Sequence, residues 1–225
     1  MFFYDWTLIL LIPALLLSVV AQFMVHSTFQ RYARVAVQSG FSGAEAAAAL
    51  ARRRGVAVGI QPSHGFLSDH FDPTHNVLAL SPEVYSGRSV AAVGVAAHEL
   101  GHALQKADNY FPMYLRSFLV PAAQVGSNLS WLLFLAGILM GTPALAHLGI
   151  LLFSLAVLFT LVTLPVEFDA SARALRLLTS EGLVTRSEVS GVRAVLNAAA
   201  LTYVAAAVMA VLQLVRMILI ARSHE

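Results

Sequence analysis

One stretch of the chain contains no charged side chain over 50 residues, from Ser117 to Val166. Because about 20 consecutive apolar residues cross the hydrocarbon core of a bilayer, this stretch has room for two crossings. The breaker Gly141-Thr142-Pro143 stands near its middle, where a tight turn would join them. The sequence therefore predicts a transmembrane hairpin.

Two further uncharged runs are long enough to span a membrane, from Trp6 to Val25 and from Ala194 to Val215. The first lacks a basic start and is longer than the apolar core of a signal peptide, which predicts an uncleaved anchor. The 225-residue chain is 58% hydrophobic and 12% charged, whereas about a quarter of the residues in a soluble domain are charged. It contains no cysteine, which excludes disulfides, thiolate ligands and cysteine nucleophiles. We therefore predict a mainly α-helical membrane protein with about four transmembrane helices.

Lysine and arginine are concentrated in two segments, 26–117 and 166–193, which carry 12 of the 14 basic residues. Because basic loops remain in the cytoplasm, both segments are predicted to be cytoplasmic, and the Gly141 turn and the two termini external. The net charge of +2 and the lack of a long basic tract argue against a nucleic-acid partner. The predicted organisation is an N-terminal anchor (1–25), a cytoplasmic segment (26–117), a transmembrane hairpin (118–165), a second cytoplasmic segment (166–193) and a C-terminal transmembrane helix with its tail (194–225).

The first cytoplasmic segment has the signals of a small α+β unit. Ser42-Gly43-Ala44-Glu45 has the spacing of a capping box and Gly55 supplies a stop signal, which together predict a helix from about Gly43 to Arg54. Two short strands and a second helix are predicted at Val56 to Ile60, Val77 to Leu80 and about Ser89 to Lys106. Charged residues close the second helix after about 16 positions, so we predict a buried helix of a soluble unit rather than a span.

The second predicted helix carries His98-Glu99-Leu100-Gly101-His102, which is the pattern HExxH. Positions i and i+4 lie one turn apart on the same face of a helix, so both imidazoles can reach one metal ion. Glu99 lies about 100° around the helix. Its carboxylate can take a proton from a water molecule that the metal has activated. This arrangement is that of the HExxH zinc metalloproteases.

A catalytic zinc site needs three protein ligands, so one ligand remains to be found. Glu167 directly follows the third predicted span and faces the same side of the membrane as the motif. Asp169 is a competitor two residues away, on another face of the helix. His147 lies beside the external turn, on the other side of the membrane. We therefore favour Glu167 as the third ligand, with Asp169 as the alternative.

The stretch from Asp69 to Gln105, DHFDPTHNVLALSPEVYSGRSVAAVGVAAHELGHALQ, resembles the YugP-type family of bacterial membrane zinc metallopeptidases, and LPVEFDASARAL resembles its second block. More distantly, the chain is similar to the HtpX and CAAX-prenyl-protease type of membrane peptidase. The resemblance implies a gluzincin-like set of zinc ligands, with Glu99 as catalytic acid and base. The implied ligands are His98, His102 and Glu167.

The resemblance has further implications around the site. The HtpX type has an aspartate four residues after its third ligand, where this chain has Ser171, so Asp169 is the candidate to orient a ligand histidine. The strand before the motif helix, Val77 to Leu80, would be a sheet edge that pairs with an extended substrate. Several side chains near this strand are candidates to stabilise the oxyanion: His64, His70, His75, Tyr85 and Tyr110.

These features predict an integral-membrane zinc endopeptidase in the bacterial cytoplasmic (inner) membrane, multi-pass and with its active site facing the cytoplasm. Its expected partners are Zn²⁺, the lipid bilayer and a peptide or protein substrate, which can itself be membrane-associated. Two alternatives remain open. One is an intramembrane zinc protease whose motif is buried inside a span, and the other is a non-catalytic membrane scaffold with a vestigial zinc site.

Overall fold

The computed structural model describes residues 6–224, so residues 1–5 of the predicted anchor and Glu225 of the predicted tail lie outside it. The described chain is mainly helical and contains one small sheet. In chain order the elements are a 3₁₀ helix (Trp6–Leu11), α1 (Ile12–Ala33), α2 (Gly43–Arg54), β1 (Gly59–Pro62), β2 (His70–Asp72), β3 (Val77–Leu80), α3 (Pro82–Tyr85), α4 (Val90–Ala107), α5 (Phe111–Leu139), α6 (Pro143–Ser180) and α7 (Arg186–Arg222).

Four helical stretches are long and apolar enough to cross a membrane. Among the described residues they are Trp6–Ala33, Phe111–Leu139, Pro143–Ser180 and Arg186–Arg222. Each extends beyond the apolar run that predicted it, because a helix continues into water when its polar end packs against other elements. The prediction of a mainly helical protein with four candidate membrane-spanning helices and a small sheet is confirmed.

The described chain divides into two compact units. The helical unit consists of residues 6–21, 114–165 and 202–224. Its core is formed by Phe134, Phe153 and Met217, while large apolar side chains such as Leu132 and Leu151 remain exposed. This distribution is expected of helices that face lipid, because hydrocarbon solvates an outward leucine as well as a protein interior does.

The mixed unit consists of residues 22–113 and 166–201. Its helix α2 begins and ends as predicted. The Ser42 side chain accepts a hydrogen bond from the Glu45 amide, the Glu45 carboxylate accepts one from the Ser42 amide, and Gly55 adopts the left-handed conformation at the C-terminus. The apolar face of α2 packs on α4, with Leu50, Ala46 and Ala96 fully buried. Local signals alone therefore fix the two ends of this helix.

The three strands lie in the order β1-β3-β2. β3 pairs with β1 in parallel and with β2 in antiparallel, so the prediction that Val77 to Leu80 forms a sheet edge is wrong. The physical reason is burial on both faces, since Leu78, Ala79 and Leu80 are all buried, as in a central strand. The predicted first strand is shifted along the chain to Gly59–Pro62, and β2 was not predicted.

The motif helix α4 is buried along almost its whole length. Its N-terminus is capped by Ser89, whose side chain accepts a hydrogen bond from the Ala92 amide. Gly101 faces the α6 backbone so closely that a Cβ atom at this position would lie 2.6 Å from the carbonyl oxygen of Ala170. Only glycine permits this approach, which brings the motif helix against the stretch of α6 that carries Glu167.

Candidate metal centre

The side chains of His98, His102 and Glu167 converge at one point in the mixed unit. The Oε2 atom of Glu167 lies 3.3 Å from His98 Nε2 and 3.6 Å from His102 Nε2. One donor atom from each residue can be chosen so that all three lie within 4.8 Å of one another. The structure thus brings together the three residues that the sequence analysis favoured, across 65 residues of chain.

The two separations that involve Glu167 fit a zinc ion. Zinc binds imidazole nitrogen and carboxylate oxygen at about 2.0–2.2 Å in a tetrahedron, so neighbouring donors stand about 3.4 Å apart. Separations of 3.3 and 3.6 Å match that edge and exceed the usual length of an N–H···O hydrogen bond. The donor set of two imidazoles and one carboxylate is also one that catalytic zinc sites use.

Burial and charge point to a cation as well. His98, His102 and Glu167 are 9%, 7% and 2% exposed. Burial disfavours the charged form of His102, yet the carboxylates of Glu167 and Glu99 raise the pKa of His102 above its usual value. The charges of two carboxylates, those of Glu167 and Glu99, therefore act on this buried cluster, and a bound cation would compensate them.

His102 is held by a buried glutamine that the sequence analysis did not single out. His102 Nδ1 lies 3.0 Å from Gln105 Oε1, and the Gln105 amide nitrogen donates to the Val166 carbonyl at 2.8 Å and to Asp169 Oδ2 at 2.9 Å. Both of these partners are acceptors only, so the amide nitrogen must face them and the amide oxygen must face His102. His102 Nδ1 is therefore the donor in this hydrogen bond, and Nε2 faces Glu167, where a neutral imidazole could ligate a metal.

His98 has a different partner. Ser171 Oγ lies 3.1 Å from His98 Nδ1, so this serine directly contacts the ligand candidate on the motif helix. Asp169, the predicted replacement for the aspartate of the HtpX type, instead reaches His102 through Gln105 and accepts from Arg173 Nε at 2.6 Å. Ser171 thus contacts one imidazole directly and Asp169 is linked to the other through Gln105, whereas the sequence offered Asp169 as the candidate for such a contact.

Glu99 is 7% exposed, and its carboxylate acts electrostatically on that of Asp69. Asp69 Oδ1 accepts hydrogen bonds from the Ser81 amide at 2.7 Å and from the Ser81 hydroxyl at 3.0 Å. Burial raises the pKa of Asp69, and the charge of Glu99 raises it further. The segment that leads into β2 therefore ends within electrostatic range of the motif glutamate, and β2 itself packs against α4.

Several candidates for the oxyanion role are engaged elsewhere. His75 Nδ1 lies 2.6 Å from Asp72 Oδ2 in the turn between β2 and β3, where these contacts hold the pKa of Asp72 down to about 2. His70 Nδ1 lies 2.8 Å from the Ser68 carbonyl oxygen. The Tyr110 ring lies 5.6 Å from the Arg173 guanidinium, beside the Asp169 carboxylate. These contacts place Tyr110 with the residues that support His102.

The geometry alone defines a class: a chain with four candidate membrane-spanning helices and a buried His-His-Glu cluster that could hold a metal ion. Residues 7–222 match the family described as "putative neutral zinc metallopeptidase", and the chain belongs to this family. A protein of Bacillus subtilis (strain 168), named "Putative membrane protease YugP", is 48% identical over 212 residues, which cover 94% of this chain and 94% of that protein. No solved structure matches the chain.

Proposed function

We propose that the protein is an integral-membrane zinc endopeptidase, with His98, His102 and Glu167 as zinc ligands and Glu99 as general base. The observation that carries the proposal is the convergence of the three donors beside Glu99. The family membership and the name of the Bacillus subtilis relative support the same activity. The four candidate spans do not include α4, which favours this function over an intramembrane protease with its motif inside a span.

In this proposal each residue of the site has a separate chemical role. When bound, zinc would polarise the scissile carbonyl and lower the pKa of the attacking water molecule. Glu99 takes the proton from that water and returns it to the nitrogen of the departing amine. Gln105 and Ser171 contact Nδ1 of His102 and of His98, which leaves Nε2 of each imidazole for the metal that the site would hold. The buried surroundings exclude bulk water from these groups.

Zinc content and chelator sensitivity test this proposal directly. The purified full-length protein in detergent should contain about one zinc per chain and hydrolyse casein. A strong chelator should abolish hydrolysis, and added zinc should restore it, because the metal is needed for the reaction. Hydrolysis that persists after the zinc has been removed would contradict the assignment. A folded preparation that binds no zinc would favour a vestigial site.

We also propose that the mixed unit faces the cytoplasm of a bacterial inner membrane. The two basic segments, 26–117 and 166–193, contribute almost all of this compact unit, which supports placing both on the same side of the membrane. Their concentration of lysine and arginine favours the cytoplasmic side.

The absence of cysteine gives a direct test of this orientation, because any introduced cysteine is unique. Ala144→Cys, at the predicted external turn, should react with a membrane-impermeant maleimide in intact cells. Thr74→Cys, an exposed residue of the mixed unit, should react only after permeabilisation. The reverse pattern would place the mixed unit outside the cytoplasm.

The role of Gln105 leads to a prediction about metal affinity. Gln105→Leu should weaken zinc binding by about 10- to 100-fold, because His102 loses the acceptor that fixes its orientation. The measurement is competition for zinc with a chromophoric chelator, in detergent. Gln61→Leu, an exposed glutamine on β1, is the matched control and should bind zinc as the unmodified protein does. Unchanged affinity in a folded Gln105→Leu protein would show that the hydrogen bond has no orienting role.

A further inference from the structure

The segment between β1 and β2, residues 63–69, has a defined shape. Ser63 Oγ lies 2.6 Å from Ser68 Oγ, and Ser68 Oγ donates to the Gly65 carbonyl at 3.0 Å. The Ser63 amide also donates to the Leu80 carbonyl of β3 at 2.7 Å, which ties the segment to the sheet. These hydrogen bonds close the segment into a loop whose tip is formed by Phe66 and Leu67.

The tip is apolar and faces outward. Phe66 is 46% exposed and Leu67 is 38% exposed. Leu67 has a φ angle of 52°. This angle lies in the left-handed region, which residues other than Gly, Asn and Asp rarely adopt. The loop therefore holds a partly exposed leucine in an unfavourable backbone conformation.

The tip contacts helix α1, and the place of this contact along α1 indicates what covers the tip. The Phe66 ring packs edge-on against His26 and Phe29, with centroid distances of 5.4 and 5.6 Å. His26 is the first residue after the uncharged apolar run that ends at Val25. The tip thus lies beside the turn of α1 at which an apolar helix becomes polar, which is where a spanning helix leaves the hydrocarbon.

The chain that follows this contact is cationic. Arg31 and Arg34 are both exposed, at the end of α1 and just beyond it. Basic side chains at this level of a membrane protein favour anionic lipid headgroups, and Phe and Leu side chains of interfacial segments are buried at the boundary between headgroups and acyl chains. The chemistry around the tip therefore fits the boundary between headgroups and acyl chains.

We propose that the Phe66-Leu67 tip inserts into the interfacial region of the bilayer. The loop that carries it leads into β2, which packs against the motif helix α4, so insertion holds the candidate centre close to the membrane surface. The substrate class then follows, and this part rests on the proposed peptidase function: peptide segments that lie within a few residues of the bilayer.

Spin labelling tests the insertion without reference to catalysis. A nitroxide at Leu67→Cys, in nanodiscs that contain phosphatidylglycerol, should collide more often with oxygen than with a water-soluble nickel chelate. The control is Ser180→Cys, an exposed residue 14 positions beyond Val166 on α6, which should favour the nickel chelate. A label at Leu67 as accessible to nickel as the one at Ser180 would overturn the proposal.

A second experiment tests the substrate class. The Phe66→Ser/Leu67→Ser double variant should cleave a lipid-anchored peptide at least about tenfold more slowly than the unmodified protein, while cleaving the same peptide without its anchor at a similar rate. Equal losses on both peptides, or no loss on either, would overturn the substrate assignment. An unmodified protein that cleaves neither peptide would refute the peptidase function, and the label at Leu67 would still decide the insertion.

Discussion

Glu99→Gln is expected to retain zinc and to lose peptidase activity by at least about 100-fold. General acid-base catalysis typically contributes a factor of 10² to 10⁴, and the amide of glutamine cannot accept the proton of the attacking water. Zinc should remain because Glu99 does not belong to the converging set of donors. The measurements are zinc per chain and the rate of peptide hydrolysis at saturating substrate.

Glu83→Gln is the matched control, because Glu83 is an exposed glutamate of the same unit, on α3. It should leave both zinc content and rate unchanged. Near-normal hydrolysis by a folded, zinc-loaded Glu99→Gln protein would refute the assignment of Glu99 as the base. Loss of zinc from this variant would mean that Glu99 contributes to the metal site.

Glu167→Ala is expected to release the zinc. The carboxylate is the donor on α6, and removing it leaves two imidazoles where three donors converge. We expect zinc affinity to fall by more than about 100-fold, since changes around a ligand already cost 10- to 100-fold. Zinc content after dialysis against a mild chelator measures this effect.

Asp169→Ala provides the comparison, two residues away on the same helix. Asp169 accepts a hydrogen bond from Gln105, which in turn binds His102, so its loss should lower activity by about 10- to 100-fold with zinc retained. If Asp169→Ala empties the site while Glu167→Ala remains loaded, the assignment of the third ligand is wrong. If both variants stay loaded, the third ligand does not come from this part of α6.

The parts of the fold that were predictable are those with a local signal. The uncharged run from Ser117 to Val166 predicted a helical hairpin. Burying charge in hydrocarbon is costly, so a long uncharged run can be recognised from composition alone. The capping box at Ser42 and the glycine at Gly55 fixed the ends of α2 for a similar reason, since both act within one turn of the helix.

Strand pairing could not be predicted in the same way. The sequence of β3, VLAL, has no alternation of polar and apolar residues, and such a run is typical of a strand that is buried on both faces. This pattern could have indicated a central strand, but which strands flank it depends on tertiary contacts. β2 is only three residues long, and its antiparallel pairing with β3 follows a turn that Asp72 stabilises.

The candidate centre was likewise predictable only in the part that has a local signal. The HExxH spacing identified two imidazoles and one carboxylate, and topology then favoured Glu167 over its neighbours. Gln105 and Ser171 were not predicted as partners of the histidines, because their roles depend on contacts between α4 and α6. The Gln105 amide meets the Val166 carbonyl across 61 residues of chain, and Ser171 meets His98 across 73. A polar side chain three residues after His102 on a buried helix was the available clue.

The positions of the three donors along the chain determine when, during synthesis, the candidate centre can form. Synthesis proceeds from the N-terminus, so His98, Glu99 and His102 leave the ribosome while Glu167, 65 residues beyond His102, does not yet exist. If these are the zinc ligands, the nascent chain is inert toward the unfolded proteins around it. Under the same assignment, activity would begin only once α5 and α6 have been inserted and α6 has returned to α4. Completion of membrane insertion would then serve as the activating step, without removal of a propeptide.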